Sequence, residues 1–336
     1  MDDTDLPDLP DLLSLRGSVV AASDEFFAEK ENLIKPAAPV FTPHSFGPKG
    51  QVYDGWETRR RRGAGGALPD PSEHDWVIVR LGAPGVVHAV VVDTAFFTGN
   101  YPQACSVQAC SAAGYPAADE LAGWMEIVPR TELSGDTQQV FPVSERRRFT
   151  HVRLNIFPDG GVARLRVHGV VVPPPGMLDG LTFDLAALEN GADILACSDE
   201  FYSTPRNVIS PGLSRVMGEG WETRRRRVPG HEWLIIRLTG HSVIRLAEID
   251  TSGYRGNAPG EARLEVGDGW RWTDLLSRMP LQPDTVHRFR VDGQAGTHAR
   301  LSIYPDGGVA RVRLYGSLTA EGFTALRKRW QDTGGS

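Results

Sequence analysis

The residues best suited to chemistry form a block that begins with a tryptophan and ends in four arginines, Gly55-Trp56-Glu57-Thr58-Arg59-Arg60-Arg61-Arg62. The same letters return as Gly220-Trp221-Glu222-Thr223-Arg224-Arg225-Arg226-Arg227. Guanidinium groups bind planar oxyanions and ureido oxygens through paired hydrogen bonds. A carboxylate beside them, Glu57 or Asp54, can exchange protons with a substrate. The block therefore indicates a site for a small acidic molecule that is rich in hydrogen-bonding groups.

Strand alternation constrains how this block can be buried. In an extended chain Trp56 shares a face with every second residue that follows it, so burying Trp56 would turn at least one arginine inward. A buried guanidinium is costly unless a carboxylate meets it. We expect that partner to be Glu57, Glu25 or Asp24, or the carboxylate of a ligand. The alternative is a run of charges on a solvated sheet edge.

A second repeated motif is Pro158-Asp159-Gly160-Gly161-Val162-Ala163-Arg164, which returns as Pro305-Asp306-Gly307-Gly308-Val309-Ala310-Arg311. Proline presets φ and the glycines accept positive φ, so one interpretation is a tight hairpin between strands at residues 153–157 and 163–167. The other interpretation is functional, with Asp159 and Arg164 projecting from the end of a sandwich where loops gather. The sequence leaves both interpretations open.

These pairs indicate a tandem duplication. The stretch Ser23-Asp24-Glu25-Phe26 also returns, as Ser198-Asp199-Glu200-Phe201, at an offset of 175 residues that falls to 147 at the proline motif. The shrinking offset places the length differences in the connections between shared segments. Each copy is long enough to be a domain with its own core. We expect a first domain at residues 1–172, a second at residues 177–336 and a proline-rich linker at residues 173–176.

Short runs rich in Val, Ile and Leu, bounded by Gly, Pro, Asn and Asp, predict strands rather than helices. The expected strands are residues 76–81, 86–93, 151–156 and 163–172 in the first copy, and residues 233–238, 244–250, 300–304 and 310–315 in the second. Helices are expected at residues 184–191 and 318–330. The pattern predicts an all-β protein with an antiparallel sandwich or jelly roll in each half.

The composition restricts the partners. The 336 residues contain 36 Lys and Arg against 42 Asp and Glu, and the net charge of −6 argues against a nucleic-acid surface. The acidic start does not read as a signal peptide, and no apolar run is long enough to span a bilayer. We therefore expect a cytoplasmic protein without a membrane partner. His74 and its counterpart His231 leave a divalent metal possible, although no set of metal ligands can be named.

Several of these motifs, in the same order, resemble the allantoicase family. The resemblance extends from about residue 15 to residue 316. It rests on the Ser23-Asp24-Glu25-Phe26-Phe27 start, the block from Asp54 to Arg60, Asp93-Thr94 with Gly99-Asn100-Tyr101-Pro102, and the proline motif of both halves. The chain departs from the family where Arg61-Arg62 and a Gly- and Pro-rich insertion stand in place of the His-Asn that commonly follows.

The resemblance implies two jelly-roll domains similar to galactose-binding domains. It implies a homo-oligomer that hydrolyses allantoate to ureidoglycolate and urea in purine catabolism. It suggests Glu57 or Asp54 as acid or base, Asp159 as an orienting group, and three substrate-binding arginines, Arg59, Arg60 and Arg164. The equivalent set in the second copy is Glu222, Arg224, Arg225, Asp306 and Arg311.

The alternative function is a non-catalytic tandem module that binds carbohydrate or another small ligand. The same sandwich serves that purpose, and Trp56, Trp124 and Trp221 could form sugar platforms. The density of arginine and the lack of a signal peptide favour the enzyme.

Overall fold

A computed structural model describes residues 8–334 of the chain, which divides into two compact units. The first unit ends at Val171 and also includes Thr333, and the second runs from Val172 to Asp332. The expected linker at residues 173–176 falls at the start of the second unit, where Pro175–Met177 forms a short 3-10 helix.

The first unit is built from antiparallel strands joined by loops and short 3-10 helices. The 3-10 helices are Lys30–Ile34, Ala64–Gly66 and Ala118–Glu120. The strands are β1 (Ser18–Ala22), β2 (Phe46–Gly47), β3 (Gly50–Gln51), β4 (Trp56–Glu57), β5 (Asp75–Asp93), β6 (Ala104–Cys110), β7 (Met125–Glu132), β8 (Gln138–Pro142), β9 (Arg148–Phe157), β10 (Gly161–Val162) and β11 (Arg164–Val171).

The long strand β5 pairs with two different sets of strands in the seven-stranded sheet of the first unit. Its first half pairs with β1 and β9, and the sheet continues from β9 through β6 to β7. Its second half pairs with β11 and β8. The register shifts between Arg80 and Gly85, where the strand changes partners. The sequence predicts two strands here because glycines interrupt the apolar run, but the backbone bends at that point without ending the strand.

The second unit repeats this arrangement, and β15 has the role of β5. The 3-10 helices after Pro175–Met177 are Leu188–Asn190, Pro205–Ile209 and Met217–Glu219. The strands, with one α-helix, are β12 (Phe183–Asp184), β13 (Asp193–Cys197), β14 (Trp221–Glu222), β15 (Glu232–Asp250), β16 (Glu261–Gly267), β17 (Trp272–Pro280), β18 (Val286–Arg290), β19 (Ala295–Tyr304), β20 (Gly308–Val309), β21 (Arg311–Leu318) and α1 (Ala320–Asp332).

The predicted fold class, all-β with two tandem antiparallel sandwiches, is confirmed. Burial alternates along the strands, so that Leu165 and Val167 in β11 and Val312 and Leu314 in β21 face the core. Within the described residues no helix is long and apolar enough to cross a membrane.

The structure contradicts the helix expected at residues 184–191 and the hairpin expected at Pro158, and it confirms the helix expected near the carboxyl end. The helix expected at residues 184–191 is instead the end of β12, a loop and the single 3-10 turn Leu188–Asn190. The helix expected near the carboxyl end is α1. The proline motif is not a hairpin, because β9 pairs with β6 and the first half of β5 while β11 pairs with the second half of β5. The motif therefore connects two strands that pair with different parts of β5.

Candidate active site

The arginine block and the proline motif are joined by the short strand pair β4 and β10. Trp56 pairs with Val162 and Glu57 pairs with Gly161. The contact continues at Thr58, whose amide donates to Gly160 O at 3.1 Å and whose Oγ1 accepts from Gly160 N at 3.2 Å. Residues about 100 positions apart in the sequence are thereby held side by side.

Gly160 is needed for this contact. Its φ of +141° lies in a region that side chains rarely adopt. A Cβ there would approach Asn100 O to 2.8 Å and Pro102 N to 2.7 Å. The close approach brings the loop that carries Asn100 against the strand pair, and Gly161 N donates to Asn100 O at 2.8 Å.

The Ser-Asp-Glu-Phe motif holds the block from the other side. The indole Nε1 of the fully buried Trp56 donates to Asp24 O at 2.8 Å, and Arg59 N donates to Asp24 Oδ1 at 2.7 Å. The Arg59 guanidinium also meets Asp24 Oδ2 at 2.7 Å. Burial by itself would raise the pKa of Asp24, but the hydrogen bonds from Arg59 outweigh it and lower that pKa.

A cavity of about 660 Å³ opens where these segments meet. It has a charged wall, an apolar wall and a wall of amide and hydroxyl groups. Its lining is Phe27, Glu57, Thr58, Arg59, Arg60, Arg61, Arg62, Ala67, Leu68, Pro69, Gly99, Asn100, Tyr101, Gln103, Pro158, Asp159 and Gly160.

Glu57 is half-buried in the cavity wall and is held by its backbone and one oxygen. Its amide and carbonyl bond to Ala28 in addition to the β10 ladder. Asn100 Nδ2 donates to Glu57 Oε1 at 2.8 Å. Within the described chain Oε2 accepts no hydrogen bond, and it is not a buried atom, so it is open to the cavity. Burial raises the pKa of Glu57, and the hydrogen bond from Asn100 offsets part of that increase.

Asp159 is a second half-buried carboxylate in the same cavity. Its Oδ2 accepts from Arg61 N at 2.7 Å. Burial raises its pKa, and the nearby charge of Asp75 adds to the increase, while the Arg61 hydrogen bond and the charge of Arg60 oppose it. Two carboxylates with raised pKa values that face one cavity are suited to acid and base catalysis.

The four arginines divide into two that are paired and two that are free. Arg59 is paired with Asp24, and Arg61 Nη2 meets Asp75 Oδ1 at 2.6 Å. Arg60 and Arg62 are exposed in the cavity wall and have no hydrogen bond or ion pair with any residue between 8 and 334. Strand alternation fails after Thr58, because the arginine that turns inward to a carboxylate is Arg61. The free guanidiniums are the groups available to a ligand.

Arg164 and Asp54 are brought to each other, and neither lines the cavity. The substrate-binding role expected for Arg164 and the acid or base role expected for Asp54 stay predictions. Arg164 is 1% exposed, and its Nη2 meets Asp54 Oδ2 at 2.5 Å. The remaining donors bond the carbonyls of Ala37, Asp54 and Ala163. Asp54 also accepts from Lys35 at 3.0 Å. Burial tends to raise the pKa of Asp54, but Arg164 and Lys35 lower it overall, so this carboxylate stays ionised and paired.

The second repeat preserves the same contacts. Asn257 donates to Glu222 Oε1 at 2.6 Å, Arg226 N donates to Asp306 Oδ2 at 2.8 Å, and Arg224 N donates to Asp199 Oδ1 at 2.8 Å. Arg225 is exposed.

Arg311, the counterpart of Arg164, is also buried, and its role in binding substrate stays a prediction. It is 4% exposed, and its Nε and Nη1 donate to the carbonyls of Gly212, Glu219 and Ala310. Burial lowers its pKa.

The histidines considered for metal binding stack on aromatic rings. His74 lies 5.1 Å from the ring centre of Phe157, and His231 lies 4.8 Å from that of Tyr304. Across residues 8–334 no group of three or more His, Cys, Asp and Glu side chains is arranged to hold a metal ion.

Sequence reasoning missed several of the residues that line the cavity. Arg62, Phe27, Tyr101 and Gln103 were not assigned to the site, although Arg62 belongs to the arginine run. Asn100 carried a usable signal, because the pair Gly99-Asn100 returns as Gly256-Asn257.

Comparisons with known proteins decide the family. The pattern of the allantoicase repeat matches residues 10–172 and again residues 183–319. The chain belongs to the allantoicase family. A probable allantoicase of Streptomyces avermitilis is 54% identical over 331 residues, which are 96% of this chain and 88% of that protein. The probable allantoicase of Nocardia farcinica is 54% identical over 322 residues, or 94% and 95% of the two chains. The crystal structure of allantoicase from Saccharomyces cerevisiae matches with a TM-score of 0.76 and 35% identity, covering 91% of this chain and 92% of that chain.

The burial of Arg164 predicts a loss of stability when it is replaced. In Arg164→Leu three carbonyls and Asp54 lose their partner, and we expect the free energy of unfolding to fall by about 3–5 kcal/mol. The matched change at an exposed arginine of the same unit, Arg146→Leu, should stay within about 0.5 kcal/mol of the parent. Guanidinium chloride unfolding measures both. Equal stability of the two variants would contradict this structural role for Arg164.

Proposed function

We propose that the protein hydrolyses allantoate to ureidoglycolate and urea, and that the reaction takes place in the cavity of the first repeat. The observation that carries the proposal is the meeting of two unpaired guanidiniums with two half-buried carboxylates in one cavity. Membership of the allantoicase family favours the enzyme over a carbohydrate-binding module. Two of the expected sugar platforms, Trp56 and Trp221, are fully buried and offer no face to a sugar.

Arg60 and Arg62 take the carboxylate of allantoate in this proposal. A guanidinium fork matches a carboxylate with two parallel hydrogen bonds, and neither arginine has to give up a partner in the described structure to make them. Arg59 stays on Asp24 and Arg61 stays on Asp75, so these two fix the loop that carries the free pair. Fixing the substrate beside the carboxylates converts a bimolecular encounter into a reaction within one complex.

Glu57 and Asp159 handle the protons. The reaction breaks the bond from the central carbon of allantoate to one ureido nitrogen and forms a bond from that carbon to the oxygen of water. The departing nitrogen takes up one proton and leaves as urea, and the water loses one proton to become the hydroxyl of ureidoglycolate. One carboxylic acid and one carboxylate suffice, and burial raises the pKa of both side chains, which favours the protonated form of each. The pH dependence of kcat/KM in the Asn100→Ala variant decides which of the two is the acid.

Some sequence predictions extend this proposal without further support from the described residues. A homo-oligomer and a cytoplasmic location stay predictions. A divalent metal also stays open.

The activity can be measured directly. Purified protein incubated with allantoate should release urea and ureidoglycolate in equal amounts, and prior chelation decides whether a divalent metal takes part. A folded sample that releases neither product, before or after chelation, contradicts the proposed function.

Glu57→Gln should abolish most of the turnover. The amide keeps the shape of the side chain but can neither donate nor accept a proton in catalysis, so kcat should fall by about 10²–10⁴-fold. The same change at Glu126, an exposed carboxylate on β7, should leave kcat at the parental value. The thermal unfolding midpoint checks that both variants fold. A Glu57→Gln variant with parental kcat would remove Glu57 from the mechanism.

Asn100→Ala should change the pH profile in a known direction. The amide of Asn100 lowers the pKa of Glu57, so its removal raises that pKa further and keeps Glu57 protonated to higher pH. The limb of the kcat/KM profile that belongs to Glu57 therefore moves to higher pH. Movement of the acid limb identifies Glu57 as the base, and movement of the alkaline limb identifies it as the acid. If neither limb moves, the groups that titrate in the kcat/KM profile do not include Glu57.

A further inference from the structure

Gln103 lies in the polar wall of the cavity, and its side chain makes no hydrogen bond to any described residue. Gln103 N donates to Phe157 O at 3.0 Å and Gln103 O accepts from Leu133 N at 3.0 Å, so the backbone is fixed on both sides. Its exposed primary amide makes no hydrogen bond to any described residue, although it lines the cavity. An amide presents two N–H donors and one carbonyl acceptor, which is the complement of a ureido group.

Tyr101 lies next to it and is held by a glycine. A Cβ at Gly135 would come within 2.6 Å of the Tyr101 ring, so the absence of a side chain at Gly135 makes the room that the ring occupies. The ring lies against the Gly135 backbone and lines the cavity. Its flat face suits a planar ureido group, and its hydroxyl can donate or accept a hydrogen bond.

The second repeat lacks both side chains. Gly307 would meet Asn257 O, Ala258 C and Pro259 N just as Gly160 would meet Asn100 O, Tyr101 C and Pro102 N, which aligns the two loops residue by residue. Ala258 therefore stands at the position of Tyr101, and Gly260 stands at that of Gln103.

The residue at the position of Gly135 also differs between the two repeats, as does the residue at the position of Tyr101. Leu281 N donates to Gly260 O as Leu133 N donates to Gln103 O, so Pro283 is the counterpart of Gly135. The glycine that leaves room for a tyrosine ring in the first repeat is thus a proline in the second, where the facing position is an alanine.

The apolar wall of the cavity also differs between the repeats. Between the arginine block and the long strand the first repeat has residues 63–74, and the second has only residues 228–231. Ala67, Leu68 and Pro69 in the longer connection line the cavity, and the shorter connection has no residues to match them. The second repeat thus keeps the arginines and the Glu222–Asn257 pair but has lost the amide, the phenol and this wall.

We propose that Gln103 and Tyr101 bind the ureido groups of allantoate and that they confine the reaction to the first repeat. This inference rests on the proposed function. The arginines that bind the acid group and the carboxylates that transfer protons have counterparts in both repeats, whereas Gln103 and Tyr101 distinguish a diureido acid from any other small carboxylate. One allantoate binds per chain.

Steady-state kinetics with two inhibitors tests the assignment. In Gln103→Met the side chain keeps its length but loses its donors and acceptor, so the KM for allantoate should rise roughly tenfold. Inhibition by urea, which carries a ureido group without an acid, should weaken to a similar extent. Inhibition by glycolate, which carries an acid without a ureido group, should be unchanged. Gln294→Met, the same change at an exposed glutamine of the second unit, should leave all three constants at their parental values.

The number of sites is measured by calorimetric titration of allantoate into Glu57→Gln, with one molecule bound per chain as the expected result. Tyr101→Phe, which keeps the ring, should retain more affinity than Tyr101→Ala. Parental KM and urea inhibition in Gln103→Met, or two molecules bound per chain, would overturn the inference while leaving the proposed function intact. Absence of urea release by the parental protein would instead refute the proposed function.

Discussion

The site depends on the pairing of β4 with β10. This two-residue ladder and the Thr58–Gly160 contacts beside it join an arginine block to the proline motif 102 residues later, and the equivalent contacts in the second repeat span 84 residues. The ladder fixes Glu57 on one side and Asp159 on the other, and the glycine of the turn admits the Asn100 loop. Buried Trp56 anchors the strand in the core.

Burial divides the charged residues near the cavity into those that hold the structure and those that a ligand can reach. Buried Arg164 pairs with Asp54 and half-buried Arg61 pairs with buried Asp75, and these pairs hold the loops in place. Releasing Arg164 to a ligand would leave Asp54 and several carbonyls unpaired. Arg60 and Arg62 avoid this conflict because they are exposed in the wall. The run of four arginines therefore combines two structural and two ligand-accessible groups.

The sequence predicts the repeats, the all-β class and the segments that form the cavity, because strand patterns and identical motifs are properties of the letters alone. It could not separate Arg164 from Arg60, since both are arginines in repeated motifs and only the tertiary fold buries one of them. The hairpin at Pro158 failed for a related reason. The local turn chemistry is correct, but β9 and β11 each find partners in β5, far away in the sequence. The 3-10 turn at Leu188–Asn190 likewise replaces a helix whose local propensity was overridden.

Duplication followed by divergence accounts for the difference between the repeats. The shared contacts preserve the frame, and the side chains that shape the cavity, Tyr101, Gln103 and the wall from Ala67 to Pro69, belong to one copy. The most direct test of this account is a crystal structure of the Glu57→Gln variant with allantoate bound. The account predicts allantoate in the first-repeat cavity, its carboxylate on Arg60 or Arg62 and a ureido nitrogen beside position 57. Allantoate bound elsewhere, with this cavity empty, would contradict it.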